Sequence, residues 1–387
     1  MTLTERIQAV QPSSTLRITA LARELKAQGK KVIPLAAGEP DFDTPEPVKA
    51  AAVRAIQEGF TKYTPTTGTP ELKAAISRTL AGDRGLTYRP EQIAVTCGAK
   101  QAIYNLLQVL VQEGDEVLIL SPYWVSYPEM VRLAGATPVE IRTSPHSGFL
   151  PDPEVLSKAC TSRTKCLILN SPSNPTGAVL DEKLLKEIAK VAAARGLWVI
   201  SDEIYSQLVY GVKHYSIAAV SPDLYERTAV VDGVSKAYSM TGWRIGYLAG
   251  PTDVVQAAAR LQDHSTSCPS SISQRAALAA LTGDQAPVKG MVEEFRKRRD
   301  FIVQRLSAMK GISFVRPEGA FYCFIDISSG GLPSDVFVER FLKEFQVAVI
   351  PGAGFGWDTF IRISFAASME ELSEGLNRLE QFIGSLR

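Results

Sequence analysis

Cysteine and histidine are scarce in this chain, with five of the first and three of the second among 387 residues. Cys97, Cys160, Cys166, Cys268 and Cys323 form an odd, scattered set. They include no C-x-x-C pair and have no histidine at ligand spacing, which argues against a disulfide framework and a zinc site. A reducing cytoplasm suits such thiols. Charge of one sign is also missing: 42 Lys and Arg against 41 Asp and Glu leave a formal +1. The bulk electrostatics therefore advertise neither a nucleic acid nor a membrane partner. No run approaches the ~18 apolar residues of a spanning helix, and the opening MTLTERIQAVQPSS lacks an apolar signal core. Internal repeats, low-complexity tracts and a Pro/Gly-rich linker are absent as well. With 45% apolar and 21% charged residues, the composition is that of a globular chain, long enough for two or three structural units.

What the sequence does contain is an alternation. From about Ile93, short apolar runs trade places with longer amphipathic ones: IAVTC then KQAIYNLLQVLV, EVLIL then YPEMVRLA, TPVEI then PEVLSKA, KCLILN then EKLLKEIAKVAAA. The series continues through LWVIS, TAVVD and IGYLAG. Strands and helices alternating in this way predict βαβ units and a mostly parallel sheet buried on both faces. Beyond about residue 285 the pattern changes. A long charged helix, VKGMVEEFRKRRDFIVQRLSAM, leads into strands AFYCFIDI, VAVI and FIRISFA and a final amphipathic helix from Met369. This reads as a smaller α+β unit, with the long helix able to bridge the two. The segment before Pro45 is free to pack with either.

In an open parallel sheet, ligands bind beyond the carboxyl ends of the strands. Three ends stand out: KCLILN runs into Ser171-Pro172-Ser173-Asn174, LWVIS into Asp202-Glu203-Ile204-Tyr205, and TAVVD into Gly233-Val234-Ser235-Lys236. A lysine buried there loses its proton readily, as a Schiff-base lysine must; a lone lysine is otherwise a surface group. Asp202 alone reads equally as a helix cap or strand-end turn, and Tyr205 as a core aromatic. Arg244, in SKAYSMTGWRIGY, is predicted to lie in an apolar strand, where it needs an anion. The glycine and helix start at Gly98-Ala99-Lys100 suit a phosphate through free N–H groups, although nothing there is a Walker loop or G-x-G-x-x-G. In TFIRISFA, alternation puts Phe360, Arg362 and Ser364 on one face. Arg362 then either pairs with an internal acid or awaits a carboxylate.

In combination, AAGEPDFDTP, KYTPTTGTPEL, TCGAKQA, SPYWVSYPE, NSPSNPTGAV, SDEIY, SKAYSMTGWRIGY and FIRISFA resemble the class I aminotransferases of the pyridoxal-phosphate fold-type I superfamily. The wording is most similar to the bacterial and plastid-type aspartate branch, which includes aspartate/prephenate enzymes. The resemblance implies a large α/β domain with a mostly parallel, seven-stranded-type sheet between helices, over residues 46–290. It also implies a smaller α+β domain built from both chain ends, 1–45 and 291–387, the connecting helix included.

The same resemblance assigns roles. Lys236 would hold pyridoxal 5'-phosphate and shuttle a proton. Asp202 would pair with the pyridine nitrogen, Tyr205 and Asn174 would bond the ring hydroxyl, and Trp124 would stack on the ring. Arg244, Ser235 and the amides of Gly98, Ala99 and Lys100 would take the phosphate, with Tyr63 arriving from the second subunit of a homodimer with shared sites. Arg362 would grip the substrate α-carboxylate beside Asn174 and Gly38, and Lys100 with Thr15 would meet a distal carboxylate. Many relatives carry a phosphate-binding hydroxyl where this chain has Gly233, which shifts the load to Arg244 and the amides. The implied reaction is transamination between aspartate or glutamate and a 2-oxo acid, with prephenate as a further acceptor. Alternatives are an aromatic or alanine preference and a C–S β-lyase of the same fold. An aminotransferase-like effector module fused to a DNA-binding domain lacks a spare N-terminal segment and a basic stripe, and a nicotinamide enzyme leaves Lys236, Asp202 and Arg362 unexplained.

Overall fold

Runs of Val, Ile and Leu without polar interruption form strands covered on both faces. The structure, a computed structural model, describes residues 3–12 and 14–386, the side chains of 14–16 excepted. The central sheet comprises β1 (Ile93–Thr96), β2 (Glu116–Ser121), β3 (Thr137–Arg142), β4 (Thr164–Asn170), β5 (Trp198–Asp202), β6 (Thr228–Gly233) and β7 (Gly246–Ala249). Their order is β1-β7-β6-β5-β4-β2-β3. The pairs β2/β3, β2/β4, β4/β5 and β5/β6 are parallel, whereas β7 runs antiparallel to both β1 and β6. Helices lie on both faces, and the strands from β4 to β6 point their carboxyl ends to one rim.

A second, antiparallel sheet comprises β8 (Ser313–Phe314), β9 (Tyr322–Asp326), β10 (Ile350–Pro351) and β11 (Phe360–Ser364), in the order β10-β11-β9-β8. Its core takes in Val32, Ile33 and Leu35, and Ile33 forms a parallel bridge with Val347, so residues near the N-terminus complete it. VAVI is less of a strand than its apolar run predicts. Only Ile350 joins one, because Val347 is engaged by Ile33 and Pro351 follows.

The long helix is Ala286–Ala308. Its Val288 and Met291 pack into the core beside β1 and β7, and its Phe295, Ile302 and Leu306 into the core of the second sheet. One helix thus enters both cores. All five cysteines are free. Among the described residues no helix is long and apolar enough to cross a membrane.

Candidate active site

The β4/β5 register pairs Asn170 with Asp202, so two polar strand ends lie side by side. Asn170 donates from Nδ2 to the Asp202 carbonyl (3.0 Å) and accepts the Asn174 N–H on Oδ1 (2.9 Å), fixing the loop after β4. Asp202 is buried at 4% exposure. Its Oδ2 accepts a 2.6 Å hydrogen bond from the Tyr127 hydroxyl, and its Oδ1 accepts the Ile204 N–H at 3.3 Å. Burial pushes this carboxyl up to about 6; the Tyr127 and Ile204 bonds pull the other way, and the nearby Asp232 and Glu203 add to the rise.

Beyond Gly233 the chain turns, and Lys236 Nζ donates to the Gly38 carbonyl at 2.7 Å. Burial lowers its pKa to about 8, against the pull of Glu39; Arg362 and Arg244 lower it further, and Asp202 opposes them. The Tyr205 and Tyr322 hydroxyls are 2.9 Å apart, both rings buried. Arg362, on β11, is 3% exposed. Its Nη1 donates to Asn174 Oδ1 (2.9 Å) and its Nη2 to the Ala36 carbonyl (3.1 Å). The guanidinium lies 4.2 Å over the Tyr322 ring. Its Nε is buried with no partner.

Gly98 opens the helix Ala99–Leu110 with φ +87, and the first N–H groups of that helix have no intrahelical acceptor. A Cβ at Gly98 would come within 2.5 Å of Arg244 Nη2, a clash that the flexible arginine could relieve by moving; the φ of +87 is what favours glycine here. Arg244 itself departs from the predicted strand. It is exposed and left-handed (φ +56) at the end of the turn Thr241–Trp243, with β7 starting only at Gly246. The Arg244 Nη1 donates to the Thr241 carbonyl (2.9 Å) and Nη2 to the Cys97 carbonyl (3.3 Å), which aims the fork at the helix start. Carbonyls, rather than strand neighbours, hold it. Gly233 has its own reason: a Cβ there would meet Gly246 Cα and the Ile245 carbonyl at 2.8 Å. The backbone crossing at this point leaves no room for a hydroxyl-bearing side chain.

Lys100 Nζ sits 4.8 Å above the Trp124 ring, and burial, followed by the Arg244 charge, lowers its pKa. One cleft of about 360 Å³ collects Gly38, Ala99, Lys100, Trp124, Asn174 and Asp202, together with Tyr205, Ser235, Lys236, Arg244 and Arg362. Gly98 borders Arg244 from behind. Tyr63 is not brought there; it is 92% exposed in this chain. The Thr15 side chain lies outside the described residues. The same cleft adds Tyr127, Asn170 and Tyr322, which sequence reasoning did not single out.

Among the described residues, Lys100, Lys236, Arg244 and Arg362 have no carboxylate within ion-pair distance, although all four face one cleft. A donor set with a helix N-terminus and arginine at one end, an amine in the middle and a buried carboxylate suits a phosphorylated pyridine aldehyde. The spare Nε of Arg362 suits a second anion, a carboxylate.

Residues 30–379 match the family described as aminotransferase class I and II. The chain is 48% identical over 389 residues to the aspartate aminotransferase of Geobacillus stearothermophilus, covering 99% of each chain. It is 46% identical over 385 residues to the aspartate/prephenate aminotransferase of Thermus thermophilus, again covering 99% of each. The solved Thermus thermophilus aspartate aminotransferase with maleate superposes with a TM-score of 0.95 at 46% identity, covering 99% of this chain and 100% of that one.

Proposed function

The chain belongs to the class I and II aminotransferases, and we propose that it moves the amino group of an acidic L-amino acid, aspartate or glutamate, to a 2-oxo acid. The acceptors are 2-oxoglutarate and oxaloacetate, with prephenate as a further one. Pyridoxal 5'-phosphate, when bound, supplies an aldehyde that links to amines and a ring that accepts electrons from the substrate α-carbon.

The observation that carries this reading is Arg362: a buried guanidinium without a carboxylate partner, its Nε free, in the same cleft as Lys236 and Asp202. Its fork, steadied by Asn174 and Ala36, binds the α-carboxylate and orients the α-carbon toward Lys236. Lys236, its pKa lowered toward neutrality by burial, would hold the cofactor before substrate arrives and, as a free amine afterwards, would take the α-proton and hold it for return. Asp202 offers a buried carboxylate to the pyridine nitrogen, with Tyr127 stabilising its charge. Tyr205 and Asn174 address the ring hydroxyl, and Trp124 covers the ring. Arg244 and the N–H groups of Gly98, Ala99 and Lys100 bind the phosphate, with Ser235 beside them.

Lys100 is the second cation that a dicarboxylate needs, and the likeness to enzymes named for aspartate, one solved with maleate, supports that choice. The likeness to an aspartate/prephenate enzyme supports prephenate. We read the assembly as a homodimer, the exposed Tyr63 entering the partner's cleft, and the setting as cytoplasmic, in keeping with five free thiols.

The test is a pair of half-reactions. The pyridoxal form is mixed with a panel of amino acids, and the pyridoxamine form with prephenate, oxaloacetate and 2-oxoglutarate. Fastest conversion with aspartate or glutamate supports the reading. A preference for aromatic amino acids or alanine, or release of pyruvate and ammonia from cystathionine without amino transfer, refutes it.

A further inference from the structure

Behind the cleft lies a second set of charges that the proposed chemistry does not use. The helix Pro70–Arg84 starts on a Thr69 cap and stops at Gly85, whose φ is +68. Its last residue, Arg84, is in the position where a basic side chain ordinarily faces water and the helix C-terminal dipole. Here the Arg84 side chain is 3% exposed. Its Nε lies 3.1 Å from Glu203 Oε2, side-chain exposure 1%. Its Nη2 bonds Ser206 Oγ at 2.5 Å and also pairs with Asp232 Oδ2.

The two carboxylates are otherwise well satisfied. Glu203 accepts hydroxyls from Ser201 (2.7 Å) and Ser216 (2.5 Å) and meets His214 Nε2 at 3.1 Å. Asp232 accepts the Gly233 N–H at 2.6 Å. Both acids adjoin the site along the chain. Glu203 directly follows Asp202, and Asp232 ends the apolar run of β6, four residues before Lys236.

We propose that Arg84 is a positioning residue for the transamination: its guanidinium ties the end of β5, which carries Asp202, to the end of β6, which leads to Lys236, and balances the two carboxylates buried between them. The proposal rests on the roles given above to Asp202 and Lys236. The guanidinium meets Glu203 as an ion pair at Nε and bonds Asp232 through Nη2, so one charge spans both strand ends, although Nε and Nη1 have no hydrogen-bond partner among the described residues. Its charge also reaches the cleft. Asp202 is faced by Tyr127 from the helix Ser126–Leu133, by Tyr205 beyond β5, by Asp232 from β6 and by the cations around Lys236. Asp232 and Glu203 both favour a proton on Asp202, and Arg84 counters the charge of each.

The experiment follows the pH midpoint of the Lys236-linked visible absorbance in the holoenzyme. Arg84→Gln is expected to raise that midpoint by about half a unit to one unit, since a buried positive charge is lost within range of the site. It should also lower kcat about tenfold while KM for aspartate stays within about threefold. Asp232→Asn is expected to move the midpoint down, and Arg84→Gln/Asp232→Asn to return it close to the wild-type value. Opposed shifts and their cancellation do not arise from a loss of folded protein. Midpoints of all the variants that coincide with wild type would overturn the proposal, and if Arg84→Gln fails to fold, Asp232→Asn and the double variant decide it. A visible band that survives in Lys236→Ala would instead overturn the underlying assignment of Lys236.

Discussion

Tyr127→Phe isolates the one side-chain hydrogen bond among the described residues that favours a charged Asp202 in its buried position. The Tyr127 hydroxyl is 2.6 Å from Oδ2, and the ring is 2% exposed. A hydrogen bond to a charged group contributes about 1.5–3 kcal/mol, which at 1.36 kcal/mol per unit raises the proton affinity of Asp202 by about one to two units. In the cofactor-free protein that moves the carboxyl from about 6 to about 7–8. Stability then responds in a defined direction. Between the unfolded value, ~3.9, and the folded one, the native state binds more protons than the unfolded state, so stability falls as pH rises. In wild type that fall ends near the folded value of about 6. In Tyr127→Phe it continues through the next one to two units. Urea unfolding of both cofactor-free proteins at pH 5 and pH 8 measures this. The penalty of the substitution should be about 1.3–2.3 kcal/mol larger at pH 8 than at pH 5, and the excess should vanish in an Asp202→Asn background. An equal penalty at both pH values would show that Tyr127 merely packs there.

Three further outcomes are expected. Arg362→Lys removes a two-armed fork and both of its anchors, to Asn174 and Ala36; kcat/KM for aspartate should drop about a hundredfold or more, and a loss below threefold would exclude Arg362 from carboxylate binding. Lys100→Ala should weaken aspartate and 2-oxoglutarate by about tenfold while sparing alanine, as read from half-reaction rates; equal losses would show that Lys100 does not discriminate. If Tyr63 serves the partner's cleft, mixing unfolded Tyr63→Ala and Lys236→Ala chains and refolding them should restore roughly a quarter of wild-type activity, since half the dimers formed are hybrids with one intact site in two. No recovery would assign both residues to the same subunit's cleft.

How much of this was legible in the sequence depended on how far each signal extends along the chain. The parallel strands are legible as unbroken apolar runs, and Asp202 and Lys236 stand out as candidates because polar residues directly after such runs line one rim. Tyr127, Tyr322 and Arg84 gave no comparable signal. Their partners are 75, 117 and 148 residues away, and an aromatic in an amphipathic helix or an arginine in a last helical turn looks ordinary until the chain is folded. The apolar run IGYLAG directly after Arg244 predicts a strand there, which the structure starts only at Gly246. The left-handed backbone of Arg244 and its carbonyl partners Thr241 and Cys97 depend on the turn before β7.

The two alternatives that the sequence leaves open for Arg362 are weighed by comparing two buried arginines. Arg84 is surrounded by carboxylates, so its charge is balanced within the protein and its surroundings need no ligand. Arg362 is as deeply buried, yet it meets only an amide oxygen, a backbone carbonyl and the faces of Tyr322 and Phe355. Burial accordingly lowers its pKa below the usual arginine value. Neutral dipoles and ring faces hold the guanidinium in one orientation without cancelling its charge. The lack of a carboxylate partner among the described residues supports the proposal that a substrate carboxylate compensates this charge. The two proposals thus give Arg84 the strand ends to hold and Arg362 a substrate to select.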